Sequence, residues 1–587
     1  MLEVRGVSTT MISLNNLGID NYFKYVYALL AGWLIWGVVR RFLFPHPFDK
    51  IPGPAKGSFI SGNLFEVFGP NGLEFHHSLT KNYGKVVRTF GLLNERVLFI
   101  RDPKALQYIF LKDQDLYQQP NQILLYVDAF TLSGTQKLIT HHANRSARKI
   151  FGPGLISTLG DQHKRQRKML NPVFSIAHMK KMIPTFFAVT YDLRDVLLRK
   201  IADGPQEVEM VSWLTRVALE IISLCGMGKS FSPIAENQEE HRYISSMKLL
   251  GPVGRKLLLL NKYILPWIIN YKIGTPRMHR LVADALPFPS LHKICEIIDV
   301  MHEESTHIYD SKKKALAAGG KADEEQKDIL NILMRENLKA SAENKLEDDE
   351  VIAQISTLMF GASDTTSSAF VRILWLLAKH QDVQAKLREE IRDAKRFDGE
   401  PDYEQLAALT YLDAVCRETL RICASFTTPI KGTNGKDIPE IHIPRGTVMQ
   451  ISIQETNQDP EIWGPDSGEW KPERWLSPLP DSVLNARIPG VYSHLMTFIG
   501  GSKACIGFKF AEMEIKVILY VLIELFQFDL PKKEIFWKFT GLVSPSVDLN
   551  ELKPQLPVIV SRSADHFQKF YCRAIAYTCF VESLKTD

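Results

Sequence analysis

Three groups of side chains have types and spacings suited to chemistry. The first is Phe498-Ile-Gly-Gly501-Ser-Lys503-Ala-Cys505-Ile-Gly507, which sets one cysteine in a glycine-rich loop directly ahead of an apolar run at helical spacing, Phe508 to Leu525. A helix starting there presents the positive end of its dipole and unpaired N–H groups to Cys505, conditions that stabilise S⁻ and suit a metal-bound thiolate. Gly501 and Gly507 fit a loop whose backbone must approach a flat ligand closely. An isolated Cys-x-Gly is more often a buried free cysteine beside a turn, so the rarer ten-residue spacing is what singles this one out. The second group is Phe360-Gly361-Ala362-Ser363-Asp364-Thr365-Thr366, where a long apolar helical pattern is interrupted by small and polar residues. Asp364 and Thr365 place a carboxylate and a hydroxyl where protons can be held and passed, and a hydroxyl bonded back to the i−4 carbonyl helps to bend a helix. Ile355, Leu358, Met359 and Phe360 before the pair and Phe370, Ile373 and Leu374 after it favour burial over a solvent-facing polar stripe. The third group is Glu418-Thr-Leu-Arg421, whose i,i+3 spacing puts both charges on one helical face, with Arg474 of Pro472-Glu473-Arg474-Trp475 able to join them. Taken singly, such charges are usually solvated surface.

The elements that must hold these groups are mostly helical in period. Asp348 or a neighbour caps a helix predicted to run to Lys379, with acids at its start and Lys379-His380 at its end, both favouring the dipole. A helix of that length spans roughly 45 Å, enough to cross a large domain. A second helix is expected over Gln381–Arg396 and a third around Glu418 and Arg421. Lys85–Phe90 and Arg96–Ile100 read as short strands joined by a Gly-Leu-Leu-Asn turn. Lys312–Lys327 is polar and glycine-broken and reads as a solvated loop. The expected fold class is mainly α with small β-sheets.

The cysteine loop matches the spacing F-x-x-G-x-x-x-C-x-G, and here the chain resembles the cytochrome P450 family of haem-thiolate monooxygenases. The acid-threonine motif, E-x-x-R, P-E-R-W and the cysteine loop follow one another in that family's order, and the resemblance covers roughly residues 50 to 562. It implies the cytochrome P450 fold and a haem b whose iron takes its axial thiolate from Cys505. Phe498, Gly501, Lys503 and Gly507 are then cofactor-binding residues of the loop, while Glu418, Arg421 and Arg474 form a structural ion network. Gly160-Asp-Gln-His163-Lys-Arg-Gln-Arg167 resembles the family's W-x-x-x-R helix, so His163 and Arg167 join the cofactor-binding set, and Lys503 stands where arginine or histidine is common. Asp364 and Thr365 are the implied catalytic pair, with Gly361-Ala362 replacing the usual Ala-Gly. The implied reaction inserts one atom of O2 into an apolar small molecule in secondary metabolism or xenobiotic oxidation, and the wording of the motifs looks most like fungal enzymes. NADPH supplies electrons through NADPH-cytochrome P450 reductase, with cytochrome b5 as a further partner. Lys164, Arg165, Lys168 and Lys509 form a basic face suited equally to an acidic redox partner or to plain solvation. The alternatives are an isomerase or dehydratase without external electrons, or a catalytically silent chain. The silent reading rests on residues 422–443, which look shortened and lack the family's proline pair and second arginine. Residues 126–148 look inserted.

A net charge of +5 spread over 587 residues is too dilute to argue for nucleic acid, and seven scattered cysteines without a C-x-x-C pair point to a reducing compartment. Tyr25 to Val39 is an uncharged run that neighbouring aromatics extend past twenty residues, long enough to span a bilayer. Basic residues lie mainly after it, which predicts a single-pass anchor with the catalytic domain facing the cytosol, as in endoplasmic reticulum members of the family. The expected organisation is a lumenal segment 1–21, a transmembrane anchor 22–44, a proline-rich hinge 45–60, a catalytic domain 61–562 and an extension 563–587.

Overall fold

The protein is described here from a computed structural model. It describes residues 42–118, 150–236, 241–257, 275–318, 328–395, 399–423, 427–432, 437–438, 441–444, 447–539, 543–548 and 553–563, with Glu551 and scattered positions from 25 to 39. The expected segment 1–21, most of the 22–44 anchor, the 126–148 insertion and the tail beyond Ser563 lie outside the described residues.

The organising element is the helix Asp348–Lys379, which starts in a capping box between Glu347 and Glu350 and carries three acids in its first turn. Its side chains are buried on nearly every side, as expected of a helix inside a large domain. It packs most extensively against Met210–Met227, an apolar helix closed by Gly228 in the left-handed conformation. That helix is long and apolar enough to cross a membrane, but 72% of it is buried within the protein, so here it is a core element. The helices Ile176–Lys200 and Phe508–Leu525 complete this larger core, while a second core gathers around a five-stranded sheet and includes Tyr492, Leu495, Met496 and Ile499 of the cysteine loop. Cys505 therefore sits where the two cores meet.

The sheet runs Val86–Phe90, Arg96–Ile100, Val448–Ser452, Thr427–Gly432, Tyr117–Gln118. Only Arg96–Ile100 beside Val448–Ser452 is parallel, with Ile100 opposite Ile451. The two predicted strands pair as an antiparallel hairpin, the first beginning one residue later than expected. The 422–443 stretch still supplies Thr427–Gly432 to the sheet's interior, hydrogen-bonded to Val448–Ser452. A three-stranded sheet (Gln206–Glu209, Pro557–Arg562, Phe526–Asp529) and the hairpin Phe536–Phe539 with Val543–Ser546 flank the helices.

Two expectations change. The start of the supposed loop Lys312–Lys327 belongs to the helix Pro289–Ala317, and Lys312 is a largely buried partner of Asp328 at 2.8 Å, a gain that outweighs exposure of the lysine; residues 319–327 lie outside the described set. The proline-rich stretch is docked on the domain: Arg88 N–H donates to Pro52 O at 2.9 Å, and a side chain at Gly53 would meet the Arg88 carbonyl at 1.9 Å.

Candidate functional site

The E-x-x-R helix is Thr410–Ile422, and Glu418 and Arg421 on it are fully buried. Arg421 grips Glu418 with Nε at 2.9 Å and Nη2 at 2.8 Å, and its remaining donors reach the carbonyls of Asn457 (3.1 Å), Ser467 (2.6 Å) and Glu469 (3.0 Å). Such a bidentate pair with every donor satisfied is the form in which buried charges are tolerated. Arg474 joins at the edge, 3.5 Å from Glu418, and is held more directly by Asp466 at 3.1 Å and by the Trp463 and Asp466 carbonyls. Closer partners of Glu418 are the Trp475 indole N–H at 2.9 Å and the Lys471 N–H at 3.0 Å. Residue type alone does not mark those two, or Asn457, as partners of the network. The only sequence signal for them was that a buried amide or carboxylate must satisfy every lone pair and N–H.

The cysteine loop leads directly into the helix Phe508–Leu525, as the spacing predicts. Cys505 N–H donates to Phe498 O at 2.9 Å, closing the loop, and the Phe498 ring packs between Tyr492 and Phe508. Gly501 has φ +70°, and a Cβ there would lie 1.9 Å from the Phe110 carbonyl, so only glycine fits. At Gly507 a Cβ would meet nothing nearer than a Phe174 ring carbon at 3.8 Å, so no neighbouring part of the chain requires its glycine. Ile499 adopts φ 45°, ψ −172°, a conformation that costs a β-branched residue about 1–3 kcal/mol.

Around the thiol gather three basic side chains. Arg167, on the helix Gly160–Leu170, donates to Ala504 O at 2.6 Å and Ser502 O at 3.3 Å. Lys503 donates to Thr158 O at 3.0 Å, and burial together with Arg167 lowers its pKa to about 7, so the full charge expected of it is not retained at neutral pH. Burial, then Lys503 and Arg167, push His163 down to about 3, leaving it neutral. Among the described residues neither Arg167 nor Lys503 forms an ion pair with a carboxylate. Cys505 itself is accessible, yet it is surrounded by protein mass that raises its pKa, with the Gly507 N–H and Arg167 pulling it back. The helix start alone therefore does not create the expected thiolate; a coordinated metal would deprotonate the thiol outright.

On the long helix, Gly361, Asp364, Thr365 and Ser368 share one accessible or half-accessible face, while Ser363, Thr366, Ser367 and Phe370 are buried. Thr365 Oγ1 donates to Gly361 O at 2.7 Å, the i−4 bond expected, and the helix continues unbroken through it. Asp364 is accessible but deep: burial raises its pKa, and attraction to Lys248 opposes the rise. Among the described residues no hydrogen bond or ion pair joins Asp364 or Thr365 to the cysteine loop. The long helix is tied to the basic helix instead at Glu350, which accepts from Arg165 Nη2 (2.9 and 2.8 Å), Gln162 (2.7 Å) and Gln166 (2.9 Å).

The sequence model for cytochrome P450 matches residues 52–549. Cytochrome P450 monooxygenase 91 of Postia placenta is 41% identical over 557 residues, covering 91% of this chain and 98% of the relative. A ganoderic acid synthetase of Ganoderma lucidum is 35% identical over 549 residues, covering 90% and 96%. A P450 monooxygenase of Hericium erinaceus is 33% identical over 549 residues, covering 89% and 94%.

Proposed function

Since the chain belongs to the cytochrome P450 family, we propose that this monooxygenase oxidises an apolar small molecule of fungal secondary metabolism, with electrons from NADPH passed on by a reductase. In the balanced reaction, substrate, O2, two electrons and two protons give the hydroxylated product and water. One observation carries the site assignment: an accessible Cys505 thiol beside a neutral His163 and two basic groups, Arg167 and Lys503, held at a cost in burial and mutual repulsion with no carboxylate among the described residues to relieve it. That donor set fits a haem, whose iron would take the sulfur and whose propionates would take the cations. Bound there, the thiolate-ligated iron supplies oxygen activation.

The remaining work falls to the chain's own residues. Asp364, with its pKa raised by burial, can hold and release a proton near neutrality more readily than an exposed aspartate, and the Thr365 hydroxyl beside it can relay that proton. Arg167 fixes the loop through the Ala504 carbonyl while offering positive potential to the sulfur. Support for a role in secondary metabolism comes from the relative named as a ganoderic acid synthetase. Membrane attachment at the endoplasmic reticulum is supported by the apolar N-terminal run and by Leu43, Phe44, Phe59, Ile60 and Phe65, all exposed, with Phe42 stacked on Phe59 at 4.6 Å. Cytochrome b5 would be a second electron donor on the same face as the reductase.

The test is the reduced, carbon monoxide-bound difference spectrum of the full chain in membranes, compared with Cys505→Ala. The strongly red-shifted Soret band of a thiolate-ligated haem is expected in the first and absent in the second. Absence from both would overturn the reading. Turnover that proceeds without NADPH and reductase would transfer the assignment to isomerase or dehydratase chemistry.

A further inference from the structure

The buried ion network and the thiol loop are separate in sequence, and one side chain joins them. Asn457 ends the short helix Ile453–Asn457 and is fully buried. Its carbonyl accepts from Arg421 Nη1 at 3.1 Å. Its side-chain Oδ1 accepts from the Met496 N–H at 2.8 Å, and its Nδ2 donates to Thr497 Oγ1 at 2.9 Å. Thr497 in turn donates to the Leu420 carbonyl at 2.6 Å, next to Arg421. The donors and acceptors agree all the way round: the Thr497 proton goes to Leu420, leaving its lone pairs for the Asn457 amide, whose NH2 donates to Thr497 while its oxygen accepts from Met496. Aspartate would set lone pair against lone pair.

We infer that Asn457 is a positioning residue, a clamp that transmits the rigidity of the Glu418–Arg421 pair to the loop carrying Cys505. The turn it holds, Met496–Phe498, supplies the two carbonyls that matter next: Met496 O accepts the Ile499 N–H at 2.8 Å and Phe498 O accepts the Cys505 N–H at 2.9 Å. Directly after them stands Ile499 in its unfavourable backbone conformation. A strained residue persists only where its surroundings over-determine it, and the Asn457–Thr497 bonds do so from one side. Released from them, the turn can relax Ile499 and move the Phe498 carbonyl that fixes the Cys505 backbone. The consequence falls on sulfur ligation more than on global folding.

The inference rests on the haem-thiolate reading, and the experiment separates the two. Full-length protein carrying Asn457→Ala, Thr497→Val or Thr497→Ser is compared with wild type. Two quantities are measured: the rate at which the carbon monoxide complex passes from the thiolate to the thiol form in mild urea, and amide exchange in peptides covering 496–505. For Asn457→Ala and Thr497→Val the conversion is expected to quicken about tenfold or more, the worth of one or two buried hydrogen bonds. Exchange over 496–505 should rise while distant peptides keep their protection. Thr497→Ser, which keeps the hydroxyl, should behave like wild type. If Asn457→Ala does not take up haem, Thr497→Val decides. Unchanged conversion and exchange, or a Thr497→Ser variant as labile as Thr497→Val, would overturn the clamp. Should wild type itself lack the thiolate band, the haem reading fails, and exchange over 496–505 still tests the clamp.

Discussion

Replacing Glu418 by glutamine leaves shape nearly constant and changes charge alone, so it isolates what the carboxylate does. Oε2 accepts from Arg421 Nε and the Trp475 indole, both at 2.9 Å; Oε1 accepts from Arg421 Nη2 at 2.8 Å, the Lys471 N–H at 3.0 Å and Arg474 Nε at 3.5 Å. Whichever way the glutamine amide turns, its NH2 faces at least two donors. Arg421, fully buried, would keep its charge with only neutral acceptors around it. Leaving one member of a buried pair uncompensated costs about 3–5 kcal/mol. That is a large part of the roughly 5–15 kcal/mol that separates a folded domain from its unfolded chain. Glu418→Gln is therefore expected to lower the urea midpoint strongly and reduce haem bound per chain, with Arg421→Lys intermediate because it keeps charge but loses the fork. A Glu418→Gln protein with wild-type haem content and a stability within about 1 kcal/mol of wild type would refute the argument that charge is what the network needs.

The glycines of the loop should separate: Gly501→Ala, with its Cβ driven onto the Phe110 carbonyl, is expected to abolish haem incorporation, whereas haem-free Gly507→Ala should melt within a degree or two of wild type. Asp364→Asn should keep the red-shifted band yet lower NADPH-driven product formation about 100-fold, measured with reconstituted reductase; an undiminished rate would remove Asp364 from proton delivery. His76, packed against Phe99 and Phe539, has its pKa lowered by burial to about 4. The unfolded chain takes up that proton near pH 6.5 and the folded protein does not until about 4, so stability is lost as pH falls through this window, by about 3 kcal/mol. His76→Gln should flatten that part of the curve of melting temperature against pH, leaving the share due to His178, which is lowered to about 4 in the same way.

What could be read from the sequence was what lies close along it. The helix after Cys505, the i,i+3 pair Glu418–Arg421, the i−4 bond of Thr365 and the capped start of the long helix each involve residues within a turn or two of each other, and all four stand as expected. Local pattern failed where burial decided. Burial lowers the Lys503 ammonium to about 7 and, in the metal-free chain, raises the Cys505 thiol, both effects of surrounding mass that no spacing reveals. The polar neighbours of Lys312 suggest a loop, yet its partner Asp328 holds it inside. The contacts of Asn457, Trp475 and Glu350 are hidden for another reason: their partners are tens to hundreds of residues away, and nothing in an asparagine or a glutamate announces which carbonyl or guanidinium it will meet.

The sheet topology bears on how the protein is made. Arg96–Ile100 can pair with Val86–Phe90 as soon as both are synthesised, but its other edge must wait for Val448–Ser452, roughly 350 residues later. At ribosomal speeds of about 5–20 residues per second that is a delay on the order of 20 to 70 s. Through that interval Leu98 and Ile100, destined for full burial, lie on an open apolar edge able to pair with another nascent chain. Yield in a heterologous host should therefore depend on chaperones that shield the amino-terminal hairpin, and slowing translation should help only if those chaperones are in excess.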